Sequence, residues 1–211
     1  MDLGLAAKRS IVTGGSRGIG YAIARALATE GADVVIAART AADLDIAAKT
    51  LSEETGRRIV PVPTDTSDQA SVDALVARAV AELGGVDILV NSAPTPWTAD
   101  KPTSFAATTD DIVRNEVEIK ILGCLRTARA VAPYLIEQGW GRIINISGLG
   151  ARSANSIAQT VRNVSVAAVT KNLADELGPH GINVTVVHPA APAPNGWRRD
   201  WPRSPPRRAR R

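Results

Sequence analysis

The feature that most constrains the fold is a regular alternation between two hydrophobic patterns along the chain. Short runs of β-branched and aliphatic residues, typical of buried strands, alternate with stretches in which apolar residues recur every three or four positions, as on one face of a helix. This alternation is typical of βαβ units and predicts one α/β domain with a doubly wound parallel sheet and right-handed crossovers. The predicted strands are 10–13, 33–37, 59–64, 86–90, 142–147 and 182–187, and the predicted helices are 19–30, 42–55, one from a Ser67 cap to 83, about 110–138 and about 157–177.

Composition agrees with this fold class and excludes others. Apolar residues make up 45% of the chain but aromatic residues only 3%, so the core must consist of small aliphatic side chains, which suits a helix-covered parallel sheet. No run of 18 apolar residues is present, so no membrane span is predicted. A single cysteine, Cys124, excludes an internal disulfide and fits a reducing cytoplasm, and with two histidines no zinc site is expected.

The last 22 residues differ from the rest. The formal net charge is +4, but residues 198–211 hold seven Arg and one Asp and carry +6, which leaves −2 for residues 1–197. The hydrophobic pattern stops after Pro189, so residues 1–189 are predicted to form the domain and residues 190–211 a disordered Pro/Arg-rich tail. Arginines beside Trp197 and Trp201 could bind nucleic acid, but an accidental tail explains the same residues, and nucleic acid is not expected as a partner.

A glycine-rich loop, residues 14–20, follows the first strand and begins the first helix. Glycine permits a tight turn and a close approach of the backbone to a pyrophosphate, while the following helix offers free N–H groups and the positive end of its dipole. A glycine run alone is weak evidence, because some such loops bind nothing. Its place between a strand and a helix favours a dinucleotide site of the Rossmann type.

The residue after the second strand distinguishes the two nicotinamide dinucleotides. An acid at that place binds the ribose 2′-hydroxyl of NAD, whereas this chain has Arg39 there. Arg39 and Arg17, from the glycine loop, can form charge-assisted hydrogen bonds with a 2′-phosphate. The sequence therefore favours NADP(H) over NAD(H), with two solvated surface arginines as the alternative.

Four motifs in chain order resemble those of the short-chain dehydrogenase/reductase family, especially its 3-oxoacyl-carrier-protein-reductase-like branch. They are TGGSRGIG at 13–20, DT at 65–66, NSAP at 91–94 and residues 178–189. The resemblance implies a Rossmann-type domain that binds a nicotinamide cofactor, a small carbonyl or alcohol substrate, and a homodimer paired through the last two long helices. The cofactor contacts it implies are Gly14, Ser16, Arg17, Gly18, Ile19, Gly20, Arg39, Asp65, Thr66, Asn91, Ala93 and Pro189.

The same resemblance shows that the catalytic tetrad has diverged. The family uses Asn, Ser, Tyr and Lys, the last two in a YxxxK motif, and neither Tyr21 nor Tyr134 has a lysine four residues later. Counting back from LADEL at 173–177 places Gln159 at the position of the tyrosine and Asn163 at that of the lysine. Lys120 aligns with the tetrad asparagine.

The candidate catalytic residues are therefore Ser147, Lys120, Gln159 and Asn163, although Gly148 is an alternative match for the family's serine. An amide can donate a hydrogen bond but cannot release a proton. Because loss of a positioned general acid costs about 10²- to 10⁴-fold in rate, impaired catalysis is expected. A Lys120 whose pKa is lowered by burial could replace the tyrosine; the simpler interpretation is a lysine that reaches solvent or pairs with Glu116 on its own helix.

The resemblance implies an NADP(H)-dependent oxidoreductase that reduces a carbonyl or oxidises an alcohol, and a cytoplasmic location is expected. The alternative is a catalytically silent NADP(H)-binding protein that acts through partners. His188 and Cys124 are interpreted as structural. In the family, a substrate lid, a helix and a last strand follow the region of residues 178–189, so with a Pro/Arg-rich stretch here those C-terminal elements are expected to be missing.

Overall fold

The computed structural model describes residues 2–93, 104–152 and 156–189. Six strands lie in these ranges: β1 (Arg9–Thr13), β2 (Asp33–Ala38), β3 (Ile59–Pro63), β4 (Ile88–Asn91), β5 (Gly141–Ile146) and β6 (Ile182–Val187). They form one parallel sheet in the order β3-β2-β1-β4-β5-β6. The order reverses between β1 and β4, so the sheet is doubly wound and the predicted single-domain α/β fold is confirmed. The predicted tail, residues 190–211, lies outside the described residues.

Helices cover both faces of the sheet. They are α1 (Gly18–Thr29), α2 (Ala41–Thr55), α3 (Gln69–Leu83), α4 (Asp110–Glu116), α5 (Gly123–Glu137) and α6 (Ile157–Leu177). Consecutive residues of β1 pack on opposite faces of the sheet. Ile11 lies in an apolar cluster with α3 and α5, and Val12 lies in a second cluster with α1 and α2. Both side chains are fully buried. Within the described ranges, no helix combines the length and apolarity needed to cross a membrane.

The predicted cap of α3 was wrong by one residue. Asp68, not Ser67, is the residue before the helix, and its carboxylate accepts a hydrogen bond from the Ala70 amide at 3.1 Å. The Ser67 hydroxyl instead donates to Asp65 Oδ1 at 2.7 Å, and the Ser67 amide donates to the same oxygen at 2.9 Å. Ser67 is thus held in a turn closed by Asp65, which leaves the cap to the next residue.

The long helix predicted over about 110–138 is interrupted. A π-helical turn, Val117–Leu122, joins α4 to α5. π-helical turns are rare in proteins and often occur at functional sites. Hydrophobic spacing alone did not reveal this one, because α4, the turn and α5 together present one continuous helical pattern.

Candidate functional site

A cavity of about 280 Å³ opens at the carboxyl ends of β1, β2 and β3. In a doubly wound sheet, ligands bind at this edge, near the point where the strand order reverses. Seven of the predicted cofactor residues line the cavity: Gly14, Ser16, Arg17, Arg39, Asp65, Thr66 and Ala93. Of the other five, Gly18, Ile19, Gly20 and Pro189 are not part of its lining, and Asn91 lines a smaller adjoining space.

The glycine loop is packed so closely that side chains are excluded at two positions. A Cβ on Gly14 would lie 2.6 Å from the Ser92 carbonyl oxygen, and Gly14 also has a φ of +68°. A Cβ on Gly20 would lie 2.2 Å from the Gly14 carbonyl oxygen. These glycines therefore let the loop fold back against the start of α1 and against the chain after β4.

α1 begins directly after a residue of the cavity lining, Arg17, and has no capping side chain. Arg17, the residue before the helix, has an extended backbone and makes no side-chain cap bond, and no acidic residue lies in the first turn. The first N–H groups and the positive end of the helix dipole are consequently not satisfied by a local carboxylate or hydroxyl. Together with the glycine loop, this geometry fits a phosphate group.

Basic and acidic side chains meet at the cavity. Arg17 and Arg39 are exposed and line it, and neither forms a salt bridge within the described part of the chain. Asp43 and Asp65 line it as well. The pKa of Asp65 is lowered, mainly by the hydrogen bonds from Ser67 and further by the positive charge of Arg39. The cavity therefore holds two cations available to an anionic ligand.

Thr13, at the end of β1, holds the chain after β4 in place. Its buried Oγ1 accepts hydrogen bonds from the Ser92 amide at 3.0 Å and the Ala93 amide at 3.2 Å. Since Thr13 also precedes the glycine loop, one hydroxyl fixes two segments of the cavity wall. The sequence identifies Thr13 only as the first residue of the TGGSRGIG motif, and this role depends on the pairing of β1 with β4 in the fold.

Asn91 belongs to a buried hydrogen-bonded chain that connects the sheet to α5 and α6. Thr127 Oγ1 donates to Asn91 Oδ1 at 2.7 Å, and Asn91 Nδ2 donates to Asn145 Oδ1 at 2.9 Å. Asn145 Nδ2 then donates to Thr170 Oγ1 at 3.0 Å. The Asn91 side chain is thus bonded to protein atoms, and its contact with a cofactor stays a prediction.

Two of the candidate catalytic residues are brought together. Ser147, which follows β5, donates through its Oγ to the Asn163 carbonyl oxygen at 2.9 Å, and both side chains are buried. A Cβ on Gly148 would lie 3.1 Å from Asn163 Oδ1, so the amide also packs against the alternative serine position. Gln159 lies one turn earlier on α6 and is half-buried. These residues lie where the chain after β5 packs against the first turns of α6.

Lys120 is largely buried, contrary to the simpler interpretation of the sequence, in which it reaches solvent or pairs with Glu116. It lies in the π-helical turn with 7% of its surface exposed. Glu116 forms its ion pair with Arg162 of α6, at 2.6 Å between carboxylate oxygen and Nη1, rather than with Lys120. The reason is tertiary: α4 and the π turn pack against α6, which places Arg162 beside Glu116. No sequence signal identified Arg162, although it lies three residues after Gln159.

Cys124 and His188 were interpreted as structural. The Cys124 thiol is buried, and burial raises its pKa to about 11. His188 follows β6, and its Nδ1 is buried without a hydrogen-bond partner among the described residues. Neither side chain lines the large cavity.

Comparisons with known proteins agree with this fold. Residues 8–200 match the short chain dehydrogenase family. An uncharacterized oxidoreductase of Staphylococcus aureus (strain USA300) is 34% identical over 184 residues, which cover 86% of this chain and 77% of that protein.

Solved structures show the same likeness. L-sorbose reductase from Gluconobacter frateurii, in complex with NADPH and L-sorbose, is 32% identical with a TM-score of 0.83, over 90% of this chain and 71% of that one. An NAD⁺-bound xylitol dehydrogenase has a TM-score of 0.84 over 90% of this chain and 72% of its own, and at 24% identity it shows a likeness of fold alone. The family match covers most of the chain, and the related sequences and the sheet order agree with it. The chain therefore belongs to the short-chain dehydrogenase family of oxidoreductases.

Proposed function

We propose that the chain is an NADP(H)-dependent oxidoreductase that reduces a carbonyl group or oxidises an alcohol on a small molecule. The observation that carries this proposal is the cavity at the carboxyl ends of β1, β2 and β3, where two arginines stand beside the glycine loop and Arg39 replaces the acid that NAD requires. The NADPH complex of L-sorbose reductase supports the same class of cofactor.

Different residues of the cavity would bind different parts of the cofactor. The glycine loop and the first N–H groups of α1 would bind the pyrophosphate, and Arg17 and Arg39 the 2′-phosphate. Asp65 and Thr66 would hold the adenine end, while Ala93 would lie towards the nicotinamide end. A bound nicotinamide supplies or accepts a hydride. Asp43 adds a negative charge to the same wall, so discrimination between NADPH and NADH depends on the two arginines outweighing it.

Ser147, Gln159 and Asn163 would orient the substrate and the ribose. In this structure the Ser147 hydroxyl donates to the Asn163 carbonyl, so it offers a substrate a hydrogen-bond acceptor, as an alcohol requires. Gln159 offers an amide donor where the family has its tyrosine. We infer turnover slower than that of relatives with YxxxK, by about 10²- to 10⁴-fold unless another group supplies the proton.

A second candidate function is NADP(H) binding without catalysis. It is favoured by Gln159 and Asn163, since neither amide can release the proton that the family's chemistry needs. NADPH consumption with a panel of ketoses including L-sorbose, and with 3-oxoacyl thioesters for the carrier-protein-reductase-like branch, separates the two. Turnover above the rate without protein supports the enzyme; NADPH binding without turnover on any substrate supports the silent protein. An absence of binding would contradict both.

We further propose that two copies pair through α5 and α6 in the cytoplasm. On α6, Ile157, Val161 and Val164 recur on one face and are 42%, 36% and 48% exposed. Exposed apolar side chains in such a stripe favour contact with a partner. Light scattering should give the mass of a dimer, and Val161→Glu should give a monomer. A monomeric wild-type chain would contradict this pairing.

A further inference from the structure

Three charged side chains are withdrawn from solvent where α4 and the π-helical turn pack against α6. Glu116 is 2% exposed and Lys120 7% exposed, and the Arg162 side chain is 16% exposed. Charged side chains are seldom buried to this degree unless they are paired or functional. Glu116 and Arg162 form an ion pair. That pair explains two of the three charges and leaves Lys120 to be explained.

Within the described ranges, Lys120 forms no hydrogen bond and no salt bridge. Burial lowers its pKa, and the nearby charge of Arg162 lowers it further, while Cys124 and Glu116 act in the opposite direction. An unpaired ammonium in such a place is costly. A lysine under these conditions changes its protonation state at a lower pH than a lysine exposed to solvent.

The π turn that carries Lys120 contributes residues to the cofactor cavity and also packs against α6. The neighbours of Lys120 in the π turn, Glu118 and Ile119, line the cavity. The same turn contacts α6, the helix that carries Asn163. Asn163 is bonded in turn to Ser147 at the end of β5. Lys120 therefore lies in the turn that adjoins the cavity lining and packs against α6, the helix that carries Asn163.

The π turn and α6 also show an exchange of residue types relative to the family. The resemblance of the sequence places an asparagine at position 120 and a lysine at position 163. This chain has the lysine at 120 and the asparagine at 163, both buried. A lysine and an amide are thus both retained at the interface between the π turn and α6, each on the opposite side.

We propose that Lys120 is the proton donor of the carbonyl reduction, acting from the π-helical turn in place of a tyrosine on α6. The step rests on the proposed function, which supplies the hydride from NADPH. As the carbonyl carbon gains the hydride, the C=O π bond breaks and the oxygen takes a proton from Nζ. The products are an alcohol, NADP⁺ and a neutral Lys120 amine, which then regains a proton from water. Alcohol oxidation runs through the same atoms in reverse, with the amine as base.

The protonation of Lys120 can be followed without turnover. The chain has five lysines, so ¹³C labelling at lysine Cε gives few resonances, and Lys120→Met assigns the one of interest. We expect this resonance to titrate at lower pH than is usual for a lysine exposed to solvent, and to shift when NADPH is added. A Lys120 resonance that titrates with the surface lysines and ignores NADPH would overturn the proposal.

Activity is the second readout. Lys120→Met should lower NADPH-dependent turnover by about 10²- to 10⁴-fold while NADPH binding persists. Lys120→Arg, which keeps the charge but cannot release a proton, should be equally slow. The exposed Lys171→Met on α6 serves as the matched control and should retain the wild-type rate and pH profile. Unchanged turnover in Lys120→Met would refute the role of Lys120 and leave the proposed function intact.

Two further outcomes separate this inference from the function on which it rests. If the wild-type chain binds NADPH but turns over no substrate, the silent alternative holds and Lys120 is not a proton donor. If the wild-type chain does not bind NADPH, the proposed cofactor is wrong, and the role of Lys120 fails with it.

Discussion

Replacement of Gly20 by alanine tests the glycine loop most sharply, because a side chain there meets backbone. The new Cβ would stand 2.2 Å from the Gly14 carbonyl oxygen and 2.7 Å from its carbonyl carbon. Real Cβ contacts stay above 3.0 Å, so the carbonyl of Gly14 must move by about 0.8 Å, the shortfall from 2.2 to 3.0 Å, in a closely packed region. Gly14 lines the cavity, so the displacement changes the surface offered to a phosphate.

We expect Gly20→Ala to weaken NADPH binding by about 10- to 100-fold, the loss of about one hydrogen bond to a charged phosphate. Gly56→Ala, after α2, is the matched control. Its Cβ would have no atom within 4 Å, but the φ of Gly56 is +66°, so the variant should lose about 1–2 kcal/mol of stability and leave the Gly14 carbonyl in place. NADPH fluorescence and thermal unfolding measure both effects. NADPH binding by Gly20→Ala within twofold of wild type would refute the reasoning, as would an equal loss of binding in Gly56→Ala.

Three further predictions concern single side chains. Arg39→Ala should weaken NADPH binding by about 10- to 100-fold, because a charge-assisted hydrogen bond contributes about 1.5–3 kcal/mol, and should leave NADH binding unchanged; equal losses for both dinucleotides would contradict the placement of the 2′-phosphate. Burial raises the pKa of Asp87, but the hydrogen bonds and charge of Arg9 lower it more, so the net pKa is lowered. The stabilisation is therefore present above the unfolded pKa of about 3.9 and lost as pH falls through the lower folded value; urea unfolding should show Asp87→Asn less stable than wild type at pH 7 and the two converging in acid, and a pH-independent difference would contradict this. Because burial raises the Cys124 pKa to about 11, a thiol reagent at pH 8 should react only after unfolding, and rapid reaction of the native protein would show that this thiol is accessible.

The fold could be predicted because its signal is local. Each strand is a short aliphatic run and each helix has its own apolar stripe, so the order of elements follows from the sequence. The ends of α6 and β6 matched their predicted bounds. The cap of α3 was misplaced because Ser67 and Asp68 are both good cap residues, and only the turn closed by Asp65 decides between them.

The site was predicted less completely because it depends on packing between distant segments. The glycine loop, Arg39 and Asp65 could be located because each directly follows a strand, and parallel strands end at one edge of the sheet. The burial of Lys120 could not, since helical spacing suggests Glu116 as its partner. Because the π turn packs against α6, the Glu116 carboxylate pairs with Arg162 instead. No sequence pattern around Glu116 or Arg162 indicates this ion pair.

The most direct test of the proposed function is a fluorescence titration of the purified chain with NADPH and, separately, with NADH. We expect saturable binding of both or of NADPH alone, with NADPH bound at least about tenfold more tightly, as one charge-assisted hydrogen bond to the 2′-phosphate requires. Equal or tighter binding of NADH would contradict the proposed recognition of the 2′-phosphate by Arg17 and Arg39. No binding of either dinucleotide would contradict the assignment of the cavity as the cofactor site.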